Sequence, residues 1–222
     1  MPTNKLLTYL YFFLLILDAL GVIYPETIDR RYVTFLPLPV LIILYLYTAK
    51  KLNWWYVTAL ISTFLGIVFF NISSLFKVAL IFYALGVCFY VIVTLKKAII
   101  IPIRTIFLAT IPFLIVYLVP LFLYYDAVRV EIFNYIMFYV FFVGLFFFIS
   151  TLVYINQKNK VNLWLLSSGI VFLLSTIIHG YYLFFEKLVT IRVGIVITFL
   201  FMHYAMYRYT IAQNNYATIQ KS

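Results

Sequence analysis

Charge is scarce in this chain. Only 10% of its 222 residues are Asp, Glu, Lys or Arg, and six of them are acidic. A soluble domain carries about 25% charged residues, so an ordinary globular protein is excluded. There is a single cysteine, Cys88, which rules out an intrachain disulfide; inside an apolar run it reads as a small hydrophobe. Two histidines and one cysteine cannot supply the three or four protein ligands that zinc takes, and neither a metal nor a cofactor is expected. The seven glycines are scattered singly, so phosphate-cradling loops and dinucleotide fingerprints are missing. No polar stretch is long enough for a soluble domain, and residues 1–222 read as one integral membrane domain.

What the chain has is apolar length, with 67% hydrophobic and 22% aromatic residues. Apolar runs cover about 6–24, 33–49, 53–71, 75–95, 99–124, 132–154, 163–185 and 190–211. Each can cross the roughly 30 Å of bilayer hydrocarbon as a helix. The expected fold is therefore an all-α, polytopic transmembrane bundle of eight spans. Strands are not expected, because barrel segments alternate in polarity and these runs are apolar all round. The first run is longer than a signal-peptide core and ends without small cleavage-site residues, so it reads as a retained span. The last run contains no lysine that could form a retinal Schiff base. Pro37 and Pro39 in the second run, and Pro102, Pro112 and Pro120 in the fifth, are expected to kink their helices.

The net charge of +10 would suggest nucleic acid in a soluble chain, but in a membrane protein it encodes orientation. Eight alternating spans put Lys5, Lys50, Lys51, Lys96, Lys97, Arg104, Lys158, Lys160, Arg208 and Lys221 on one side with no acid. The other side carries Arg30, Arg31, Lys77, Arg129, Lys187 and Arg192, balanced by Glu26, Asp29, Asp126, Glu131 and Glu186. Basic loops stay in the cytoplasm, so both termini are expected there. Trp54, Trp55 and Trp164 then mark the cytoplasmic interface. No nucleic-acid partner is expected; membrane lipid is, with a membrane-protein partner or a homo-oligomer left open.

Polar groups at membrane depth are costly, and each is a functional candidate. Asp18 is the only acid inside a span, about 18 Å from the inner end of the first helix at ~1.5 Å per residue. Ser175, Thr176 and His179 in the seventh run reach a similar outer depth, and Ser175 and His179, four apart, share a helix face. His203 falls in the inner half. Asp18, His179 and Ser175 could form an orienting acid, base and nucleophile. The plainer alternative is that each hydroxyl bonds back to its own helix and His179 meets a neighbouring helix.

The order of features resembles the YhhN family of bacterial membrane proteins, which includes the lysoplasmalogenases. Leu36-Pro37-Leu38-Pro39 corresponds to its Lys-Pro-Leu-Pro element, and Leu65-Gly66-Ile67 to its Gly-Asp pair. The family spacing of Phe, Gly-Leu, Phe, Gly-His and Tyr is met by Phe76, Ala79-Leu80, Tyr83, Gly86-Val87 and Tyr90. Ser175-Thr176 stands for its Ser-Asp pair, and His203-Tyr204-Ala205-Met206 is similar to its terminal helix. The resemblance implies a cavity in the outer half lined by Leu36, Pro37, Pro39, Gly66, Ile67, Val87 and Thr176. It also implies a bacterial inner membrane.

The scaffold positions match and the ionisable ones do not. Leu36, Ile67, Val87 and Thr176 stand where the family has lysine, aspartate, histidine and aspartate. Vinyl-ether hydrolysis needs a proton donor and an activated water, and carboxylic acids are the natural candidates. Without them the resemblance implies a non-catalytic lipid-binding protein or a membrane-complex subunit. The alternative is a hydrolase of lysolipid-like substrates with a relocated site built on Asp18, His179 and Ser175.

Overall fold

The computed structural model describes residues 3–95, 103–125 and 128–219. Among them every regular element is helical: α1 (Thr3–Ile23), α2 (Arg30–Val33), α3 (Pro37–Thr48), α4 (Trp54–Phe70), α5 (Phe76–Leu95), α6 (Ile103–Tyr124), α7 (Val130–Asn156), α8 (Lys160–Phe184) and α9 (Val189–Ile219), with a 3-10 turn at Ser73–Leu75. Among the described residues six helical stretches are long and apolar enough to cross a membrane, which makes this an integral membrane protein; α4 is apolar but shorter. Lys96, Lys97, Pro102, Asp126 and Lys221 lie outside the described residues.

The helices form a closed ring in the order α1, α3, α4, α5, α7, α8, α9 and back to α1, with α6 outside it against α7. Lipid tails are as apolar as leucine, so hydrophobicity cannot drive these helices together; close packing and interhelical hydrogen bonds must. Gly86 shows the first requirement. A Cβ there would stand 2.5 Å from Thr63 Oγ1 and 3.1 Å from the Ala59 carbonyl oxygen, so only glycine lets α5 approach α4 this closely.

Helix α9 shows the second. The Tyr11 hydroxyl of α1 donates to the Leu200 carbonyl at 2.6 Å, and Ser168 of α8 donates to the Met202 carbonyl at 3.0 Å. Tyr90 of α5 shares a 2.6 Å hydrogen bond with His203 Nδ1, and Thr48 of α3 shares one of 3.1 Å with Tyr207. Four other helices are thus tied to one, all through buried or part-buried groups.

The expected kink at Pro37 and Pro39 is corrected. Both prolines sit in the first turn of α3, where a missing N–H costs nothing, so they begin a helix instead of bending one. Upstream, Asp29 caps the single-turn α2 by accepting from the Arg31 amide. The second apolar run is therefore two helical pieces, and α3 is only 12 residues long. In α6 the backbone stays helical through Pro112 and Pro120.

Candidate functional site

Inside one end of the ring lies a cavity of about 360 Å³, walled by α1, α2, α4, α5, α7, α8 and α9. It gathers the last residues of α4 and α8 and the first of α5 and α9, so it opens at the end opposite the start of α1. Ile67, Leu80, Val143, Val196 and Leu200 make its inner wall apolar. Polar side chains collect toward the mouth.

Asp18 is the centre of that polar end. Its side chain is only 5% exposed, and its Oδ1 accepts from Arg30 Nε at 2.8 Å and from Thr34 Oγ1 at 2.9 Å. A charge at this depth persists only when paired and hydrogen-bonded. The ion pair also anchors α2 to α1. Gly21, three residues after Asp18 and so on the same helix face, makes room for it. A Cβ at Gly21 would stand 2.6 Å from the Arg30 Cγ. Sequence spacing does not expose this arrangement, because Arg30 reads as one more cation in a polar connector.

Two further arginines line the cavity. Arg31 is held by Asp29, with Nη2 2.8 Å from Oδ2, and this pairing keeps the Asp29 carboxyl below its ordinary value. Arg192, at the start of α9, has no carboxylate partner among the described residues; its guanidinium lies 6.0 Å from the Tyr182 ring centre.

On the far side of α9 from α1, α8 presents Ser175, Thr176 and His179 to the same cavity as Asp18. Thr176 donates to the Phe172 carbonyl at 3.0 Å and lies 3.3 Å from the Tyr139 hydroxyl. The His179 ring packs edge-on to Phe70, 5.3 Å between centres. No hydrogen bond joins Ser175, His179 and Asp18, and the carboxylate that would orient a base is occupied by Arg30 and Thr34. The trio shares a cavity without forming a nucleophile, base and acid relay.

Of the other residues expected to line a common cavity, Ile67 joins Thr176 there. Leu36, Pro37, Pro39, Gly66 and Val87 are not among its lining residues. Leu36 is 46% exposed at the break before α3, and Val87 is 2% exposed in the core. Pro37 and Pro39 belong to the start of α3, and Gly66 is covered by the Tyr83 ring. One polar pair escaped the sequence reading: His203, 1% exposed, bonded to Tyr90 below the cavity. Its Nε2 and the Tyr56 hydroxyl are buried with no hydrogen-bond partner among the described residues. The signal available was a histidine at inner-half depth with no expected partner.

No protein-family profile matches the chain, and no characterised protein or solved structure is detectably similar to it. What the fold and the cavity define is the class: a helical integral membrane protein with an internal amphipathic pocket.

Proposed function

We propose that this protein holds a single-chain lipid within its helical ring and acts as a non-catalytic lipid-binding protein or membrane-complex subunit. The observation that carries the reading is the graded polarity of the cavity, apolar inside and charged at the mouth. Lipid-facing helices need no such hollow. On α8 the lining runs from Leu173 to Phe184, about 16 Å at ~1.5 Å per residue, close to half the ~30 Å hydrocarbon thickness. That depth suits one acyl chain of one leaflet. The volume falls at the lower end of the ~300–1,000 Å³ of small-molecule sites.

In this reading the chain spans the bilayer eight times with both termini cytoplasmic. The mouth then faces outward, at the end where the loop acids balance the cations. Two of the positions that depart from the YhhN pattern, Ile67 and Thr176, line the cavity, apolar or neutral where that family is acidic.

A hydrolase of lysolipid-like substrates is the second reading, favoured by the convergence of Asp18, Ser175 and His179 on one cavity. The lack of any bond among them and the engagement of Asp18 weigh against it.

The test is mass spectrometry of lipids retained by the gently purified protein and by Val196→Phe, which fills the inner wall. A single-chain lipid should accompany the first and be depleted from the second, provided both elute as monodisperse species. An identical lipid complement on both would overturn the proposal. Vinyl-ether hydrolysis by the wild type, lost in Asp18→Asn, would establish the second reading.

A further inference from the structure

We infer that the lipid carries a net negative headgroup, carboxylate or phosphate, held by Arg192 and by the outer face of the Arg30 guanidinium. This rests on the lipid-binding reading and adds the headgroup class to it.

The charges at the mouth do not cancel. Three arginines and one aspartate line the cavity. Asp18 neutralises Arg30, and Asp29 neutralises Arg31. Arg192 is left over. Its guanidinium is exposed at the cavity mouth, and its planar donor fork fits carboxylate or phosphate oxygens.

Arg30 is prepared for the same contact. Asp18 takes only its Nε, so both Nη groups have no hydrogen-bond partner among the described residues. The ion pair below and the close packing on Gly21 fix the guanidinium plane before any ligand arrives. Preorganisation of this kind lowers the ordering cost of binding. Asp18 is therefore a positioning residue: it faces Arg30, not the ligand.

A zwitterionic headgroup fits less well. Its ammonium would need a carboxylate or an open aromatic face. The one carboxylate lining the cavity is 4% exposed and already accepts two hydrogen bonds. The Tyr182 ring already faces the Arg192 cation, and the other lining rings, such as Phe70 and Phe76, bring no negative charge to set against an ammonium.

Three ligands separate the possibilities: lysophosphatidylglycerol, lysophosphatidylcholine with the same chain, and glycerol phosphate without one. Binding is measured on the full-length protein in maltoside micelles by native mass spectrometry. Lysophosphatidylglycerol should bind roughly tenfold more tightly than lysophosphatidylcholine, the gain expected of a charge-assisted headgroup contact. In Arg192→Gln that preference should fall to about threefold or less, because lysophosphatidylcholine, whose phosphate is offset by its own ammonium, loses less than lysophosphatidylglycerol does. Because Arg192 is exposed and has no carboxylate partner among the described residues, this variant tests the site without disturbing the α1–α2 anchor.

Equal binding of the two lipids by the wild type would overturn the headgroup inference while leaving lipid binding intact. A preference unchanged in Arg192→Gln would overturn the role of Arg192. Glycerol phosphate binding as tightly as the anionic lipid would mean a site for free anions, overturning the inference. Failure of both lipids to bind would defeat the lipid-binding reading itself.

Discussion

Removing the Asp18 carboxylate should cost as much as any single change at the cavity mouth. In Asp18→Asn the Arg30 guanidinium, 19% exposed, keeps its charge and loses its counter-ion, while Thr34 keeps a neutral acceptor. Breaking a buried ion pair from one side typically costs about 3–5 kcal/mol, because the remaining charge stays buried and unpaired. Arg30 retains some access to headgroup water, so the expected loss lies at the lower end, about 3 kcal/mol. Arg30→Gln should cost about as much, since it strands the carboxylate, which is 5% exposed. The double variant removes both charges, and its loss should fall well short of the sum. The coupling energy should then be about 2 kcal/mol, within the ~0.5–3 kcal/mol seen for residues in direct contact. Reversible unfolding in mixed micelles, for the wild type, both single variants and the double variant, completes the cycle. A coupling below about 0.5 kcal/mol would refute the claim that this pair anchors α2 to α1.

Three further outcomes are expected. Tyr90→Phe keeps the ring packing but strands His203 Nδ1 in the core; a loss of about 1–3 kcal/mol in the same unfolding assay is expected, and an unchanged midpoint would contradict it. Gly21→Val should displace the Arg30 stem, weakening lipid retention as much as Arg30→Gln does. Retention equal to wild type would show that the close contact is not needed. For the eight-span topology, single cysteines placed on a Cys88→Ser background at Lys50 and at Lys158 should be shielded from an impermeant thiol reagent added outside intact cells. One placed at Lys187 should react, and any other pattern miscounts the spans.

The apolar runs foretold the helices well, because long uninterrupted hydrophobicity leaves the backbone no other way to satisfy its polar groups. Asp18 was legible for the same reason: one acid in an apolar helix stands out. Its partner was not, since Arg30 lies 12 positions on in a polar connector, and a residue's depth is set by how the chain folds back. Pro37 misled because a proline inside an apolar run looks the same whether it bends a helix or starts one. The position of Val87 was likewise hidden, as a heptad of Phe, Leu, Tyr and Val gives no sign of which side faces a cavity and which faces the core. Ser175, Thr176 and His179 share one stretch of helix by spacing alone, but the Thr176 hydrogen bond to Tyr139 and the His179 ring contact with Phe70 depend on residues far away in sequence.

The ring closes where α9 meets α1, the last described helix against the first. Biogenesis inherits a constraint from this. Helices emerge from the ribosome in order, so α1 must wait in the bilayer, its Tyr11 hydroxyl and Asp18 carboxylate short of native partners, until Leu200 and Arg30 are both in place. Arg30 arrives within a dozen residues, whereas Leu200 arrives 189 residues after Tyr11. The α1–α2 anchor can therefore form early and hold the nascent mouth, while the hollow has no complete wall until synthesis is nearly finished. A chain stalled before α9 would present an open trough to the lipid, a form that membrane quality control could distinguish from the finished ring.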